Sequence, residues 1–116
     1  MRIEVKGRNT PITEELTQRI ERRFDKVAKQ VSPLAELEVE LREERNPAIA
    51  DSQVAEVTLH LKGVTLRACD RSRDMDHSIK LCAEELSRQV KRHRDKRRKR
   101  RESRAQSGIG GISPAA

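Results

Sequence analysis

Eleven of the chain's 26 lysines and arginines stand between Arg88 and Arg104, with only Asp95 and Glu102 to oppose them. Side chains of this kind neutralise phosphates, releasing the counterions condensed on a nucleic acid and positioning a protein on its backbone. Residues 1 to 87 carry 15 basic and 17 acidic side chains, so the net charge of +7 arises from the Arg88 to Arg104 stretch. Charged residues make up 39% of the chain, against roughly 25% in ordinary soluble domains. A localised excess of this sign points to a polyanion, nucleic acid first and an anionic membrane surface second.

Other chemistries find little support. Cys69 and Cys82 are too few and too far apart for a disulfide framework, and His60, His77 and His93 are scattered, so no metal-ligand set of suitable spacing is visible. No nucleophile has an evident base and orienting acid. The sequence therefore predicts no enzyme, no metal, no cofactor and no small-molecule substrate. Phe24 is the sole aromatic, which leaves almost nothing on which to stack bases, so recognition must work through phosphates and shape. No apolar run approaches a membrane span and Met1-Arg2-Ile3-Glu4 lacks a signal-peptide core, so a cytoplasmic protein is expected.

The 116 residues hold one domain and a tail. Ile3 and Val5 alternate with charged neighbours as a strand that Gly7 closes. Thr13 caps a helix expected from Glu14 to Gln30, with Leu16, Ile20, Phe24, Val27 and Val31 as its apolar stripe. Arg22, Arg23, Lys26 and Lys29 lie on or beside its other side, as a solvated face or an RNA contact.

Ser32-Pro33 ends that helix. Leu37, Val39 and Leu41 alternate with Glu36, Glu38 and Glu40 in a second strand whose acidic face repels phosphate and should pair with basic neighbours. A third strand carries Ala55, Val57, Leu59 and Leu61 inward, and a tight turn at Lys62-Gly63 leads to a fourth with Val64, Leu66 and Ala68 inward. Asp74 is placed to cap the last helix, whose stripe is Met75, Ile79, Cys82, Leu86 and Val90. Past Val90 the stripe ends, so any continuation projects from the domain. Cys69 on the open sheet face and Cys82 on the helix side argue against a disulfide between them.

The implied fold is α+β, in the order β-α-β-β-β-α: a four-stranded mixed sheet with two helices packed on one face. Strands one and two should be parallel and strands two to four an antiparallel meander. The folded domain is expected over residues 1–97. Residues 98–116 are read as a tail, first basic and then rich in Gly, Ser and Ala, and disordered through self-repulsion and lack of apolar residues.

In this arrangement the chain resembles the ribosome hibernation promoting factors, also called ribosome-associated inhibitors or sigma-54 modulation proteins, over about residues 1 to 98. The carriers are Ile12-Thr13-Glu14-Glu15-Leu16, Gly63-Val64-Thr65-Leu66-Arg67-Ala68, and Asp74-Met75 with Ile79, Leu86, Arg88-Gln89 and Arg92. The resemblance implies a double-stranded-RNA-binding-like domain on the small ribosomal subunit and its ribosomal RNA, in the channel of messenger and transfer RNA. There it would block translation under stress or in stationary phase, as a monomer off the ribosome. The residues matched as RNA-binding are Arg23, Lys26 and Lys29 on the first helix and Arg88, Arg92 and Lys96 on the last, with Lys91 and Arg97 beside them. Two positions depart from the family pattern. Asp76 stands where a Tyr usually follows the Asp-Met pair, and Glu85 replaces a common Lys. The rival reading is a general basic nucleic-acid-binding domain without ribosome specificity.

Overall fold

A computed structural model describes the backbone of residues 1–112 and the side chains of residues 1–102. Strand β1 (Arg2–Arg8) leads to helix α1 (Glu14–Arg23) and the short helix α2 (Asp25–Ala28). Strands β2 (Glu36–Glu43), β3 (Gln53–Leu61) and β4 (Val64–Ser72) follow, and helix α3 (Met75–Ile112) ends the described chain. The sheet order is β1-β2-β3-β4, with β1 parallel to β2 and the remaining pairs antiparallel. This is the expected mixed sheet.

Local chemistry explains the elements. The Thr13 hydroxyl accepts from the Leu16 amide at 3.1 Å, with Glu14 and Glu15 in the first turn of α1. Leu61 pairs with Val64, so Lys62 and Gly63 form a two-residue turn, and Gly63 takes the positive φ of 80° that such a turn requires. Gly7 does not close β1, which continues to Arg8. It is there for close approach, because a Cβ would lie 2.8 Å from Ile12 Cδ1 and would strike the Thr10 carbonyl.

The core lies between the sheet and the helices. Ile20 from α1, Phe24 at the joint and Val27 from α2, with Ile79, Cys82, Leu86 and Val90 from α3, meet Leu37, Val39, Leu41, Val57 and Leu59. Burial pushes the Cys82 thiol up to about 12, and its Sγ donates to the Ala55 carbonyl at 3.1 Å, so it behaves as a small core residue. Cys69 is exposed on the other side of the sheet and both thiols are free.

Two helix boundaries differ from the sequence reading. The single helix expected to Gln30 breaks at Phe24 (φ −98°, ψ 7°). The break re-aims the chain while keeping Ile20, Phe24 and Val27 all fully buried. At its other end α3 remains helical through Ile112, past the expected start of the tail at Arg98, while residues 113–116 lie outside the described residues. Asp95 and Lys99, like Arg98 and Glu102, are spaced i, i+4 with opposite charge, which offsets part of the repulsion along this stretch. The turn before α3 is organised by Ser72, whose hydroxyl accepts from the Asp74 amide at 3.2 Å and donates to the Asp74 carbonyl at 2.6 Å. Fully buried Ser78 locks that turn to β3 by donating to the Gln53 carbonyl at 2.7 Å.

Candidate nucleic-acid interface

The outer faces of α1, α2 and α3 enclose a groove of about 600 Å³. Arg23 and Lys26 form one wall and Lys80, Arg88, Lys91 and Arg94 the other, with Glu84 as the one carboxylate among its lining residues. On α3, Lys80, Ser87, Lys91 and Arg94 recur at helical spacing along one flank of the buried stripe. The core contacts of Ile79, Leu86 and Val90 fix that stripe against the sheet, and so hold the basic flank towards α1 and α2. A smaller hollow of about 360 Å³ adjoins the groove through Arg23, where Arg19 and Arg22 surround Asp76.

Four of the eight sequence-predicted residues, Arg23, Lys26, Arg88 and Lys91, are thus brought together. The others are not. Exposed Lys29 pairs with Asp25 at 3.0 Å one turn back. Arg92 lies on the opposite flank of α3, towards β4, beside Gln89, whose amide donates to the Arg67 carbonyl at 2.8 Å. Lys96 is exposed farther along that flank, and Arg97, seven residues after Val90, continues the line of the core stripe beyond the body. Sequence reasoning missed Lys80 as a groove residue; its position one helical repeat before Ser87 was the available signal.

The two departures from the family pattern have partners. Asp76 accepts from Arg23 at 2.9 Å, joining α1 to the first turn of α3 across the end of the groove. Glu85 accepts from Arg88 at 2.8 and 3.1 Å and from Gln89 at 3.2 Å, and stands 3.5 Å from Arg92. The hydrogen bonds from Arg88, then that from Gln89, hold the Glu85 carboxyl below its ordinary range. One carboxylate therefore engages two of the arginines expected to meet RNA.

The opposite face of the sheet is different in kind. Glu36, Glu38, Glu40 and Glu56 stand on it, and its charges pair within it, Arg8 with Glu40 at 3.1 Å and Arg42 with Glu56 at 3.0 Å, while the His60 ring stands 3.5 Å from Glu38. The expected pairing of the second strand's acids with neighbouring strands is present at Glu40. The hydrogen bond from Arg42 to Glu56 raises the Arg42 pKa.

Residues 3–98 match the model of the family described as Sigma 54 modulation protein / S30EA ribosomal protein. The chain belongs to that family. Among relatives of this S30EA-family chain, a "Ribosome hibernation promoting factor" of Salmonella typhimurium is 30% identical over 96 residues, covering 83% of this chain and 96% of the relative. A "Ribosome hibernation promotion factor" of Picosynechococcus sp. is 29% identical over 97 residues, again 83% of this chain but 50% of the relative, so the chain spans half the length of that protein.

Solved structures share the fold. The N-terminal domain of Thermus thermophilus Protein Y superposes with a TM-score of 0.69 at 24% identity, covering 80% of this chain and 99% of that one. A ribosomal subunit interface protein from Coxiella burnetii gives 0.66 at 17% identity, with coverages of 82% and 99%. Among the described residues no group of His, Cys, Asp and Glu could hold a metal ion, and no helix is long and apolar enough to cross a membrane.

Proposed function

We propose that this S30EA-family protein binds ribosomal RNA of the small subunit through its helical face and blocks translation by occupying the channel of messenger and transfer RNA. The observation that carries the reading is the groove between α1, α2 and α3, where six cations converge, in a family whose relatives bear hibernation names. Folded RNA offers phosphates in fixed positions, which Lys and Arg hold without the aromatic stacking that this chain lacks. The acidic strand β2 on the opposite face disfavours phosphate, which gives the protein one RNA-facing side. The action is stoichiometric occupancy under stress or in stationary phase by a cytoplasmic protein that is monomeric off the ribosome, with no bond made or broken.

Sucrose-gradient fractionation of stationary cells tests this directly. The protein should travel with small subunits or whole ribosomes, and Lys26→Gln with Lys80→Gln should shift it towards the soluble fractions. Recovery in the soluble fractions alone at low salt would refute the reading. A second reading, general nucleic-acid binding, is favoured by nine Lys and Arg residues among the twelve from Lys91 to Glu102. It requires comparable affinity for duplex DNA and small subunits across a salt titration, because phosphate contacts alone scarcely discriminate.

A further inference from the structure

Helix α3 leaves the body after Val90, and every side chain from Arg94 to Glu102 is exposed. At about 100° per residue the nine cations from Lys91 to Arg101 spread over about 280° of the helix circumference. Lys96, Lys99 and Arg100 lie on one side and Arg97, Arg98 and Arg101 on nearly the opposite side. Asp95 and Glu102 both fall in the remaining sector of about 80°. The distribution is therefore a basic rod with one narrow acidic seam. The family match ends at residue 98, within the rod.

A flat polyanion meets at most half of a cylinder. Cations on the far side would stay in water, repelling their neighbours without a compensating phosphate. An arc covering about three quarters of the circumference is complementary to phosphates on two opposed sides. We infer that the projecting part of α3, Lys91 to Glu102, inserts into a cleft between two phosphate backbones of folded RNA, a contact that reaches beyond the groove on the body, at whose rim Lys91 and Arg94 stand. The length suits this, since twelve residues at 1.5 Å extend about 18 Å, and the rod is about 10–12 Å across with side chains. The rod has no Phe, Tyr or Trp and nine cations, which favours phosphates over unstacked bases as what it recognises. The identity of the partner as RNA rests on the function proposed above; the two-sided geometry rests on the rod alone.

The test compares three full-length variants for binding to purified small ribosomal subunits in a salt titration, with duplex DNA as a second probe. One variant carries Arg97→Gln, Arg98→Gln and Arg101→Gln, the next Lys96→Gln, Lys99→Gln and Arg100→Gln, and the third Lys26→Gln and Lys80→Gln in the groove. Each rod variant should lose roughly tenfold or more in affinity and lower the slope of log K against log salt by roughly 2–3, with helicity retained by circular dichroism. Loss in only one rod variant would mean that α3 lies on a flat surface, and loss in neither would remove the rod from the interface. Either result overturns the inference, and the groove variant decides separately whether the RNA-binding body stands. Equal losses on duplex DNA, bound as tightly as subunits, would overturn folded RNA as the partner.

Discussion

Glu85 sets the charge of the α3 surface more than any other single residue, because its carboxylate is shared by Arg88, Gln89 and Arg92. Its pKa is held low, chiefly by Arg88. A carboxylate with a depressed folded-state pKa contributes its pairing above the unfolded value and loses it only as pH falls through the depressed one. The Arg88 and Arg92 contacts therefore persist across the neutral range. In this half-buried position the carboxylate competes with phosphate for both guanidinium groups. Glu85→Lys removes the competitor and adds a cation, so it should raise affinity for purified small subunits several-fold and steepen the salt slope by roughly 1–2. Weaker binding by this variant, measured in the same titration, would make Glu85 an orienting group for Arg88 instead. Asp76 shows the same limit on reading charge from sequence. Its partner, Arg23, is 53 residues away, so only the docking of α1 against the start of α3 reveals the pair.

At the scale of elements, strands and core were legible because the strands alternate over their central residues, with Val54 and Ala55 of β3 the adjacent buried pair, and each helix carries one apolar stripe. Leu37, Val39 and Leu41 could face only one side of a sheet, and Ile79, Cys82, Leu86 and Val90 only one side of a helix. The break at Phe24 was not legible, because Ile20, Phe24 and Val27 satisfy helical spacing whether or not the helix is continuous there. The groove was half legible. Its α3 wall follows from periodicity, whereas the approach of Arg23 and Lys26 depends on how α1 and α2 cross α3. Phe24 is the joint on which that approach depends, being fully buried between two short helices. Phe24→Ala should lower stability by about 3–5 kcal/mol, read as the loss in unfolding free energy in a denaturant titration. Phe24→Leu keeps most of the volume and should lose far less. If the alanine variant matched the wild type, the α1 and α2 wall would owe its position to other contacts.

On the scale of the whole molecule, charge and fold are divided along α3. Up to Val90 the helix is bound to the sheet by its apolar stripe; beyond it the described side chains are almost all exposed and overwhelmingly basic. A segment without apolar contacts contributes little to the stability of the body, and its like charges at i, i+4 oppose its own helix. Truncation after Arg97 should therefore leave the thermal midpoint within about 2 °C of the full chain, or raise it slightly as repulsion is relieved. The same truncation removes Arg98, Lys99, Arg100, Arg101 and Arg104, so its salt slope on small subunits should fall by roughly 2 or more. A midpoint lowered by more than about 5 °C would show that the far part of α3 packs on the body, placing the end of the folding unit beyond Arg97. An unchanged slope with an unchanged midpoint would leave RNA binding to the residues before Arg98. The expected pair of results, a stable body with a flatter salt dependence, assigns folding to residues before the projection and part of the binding to the projection itself.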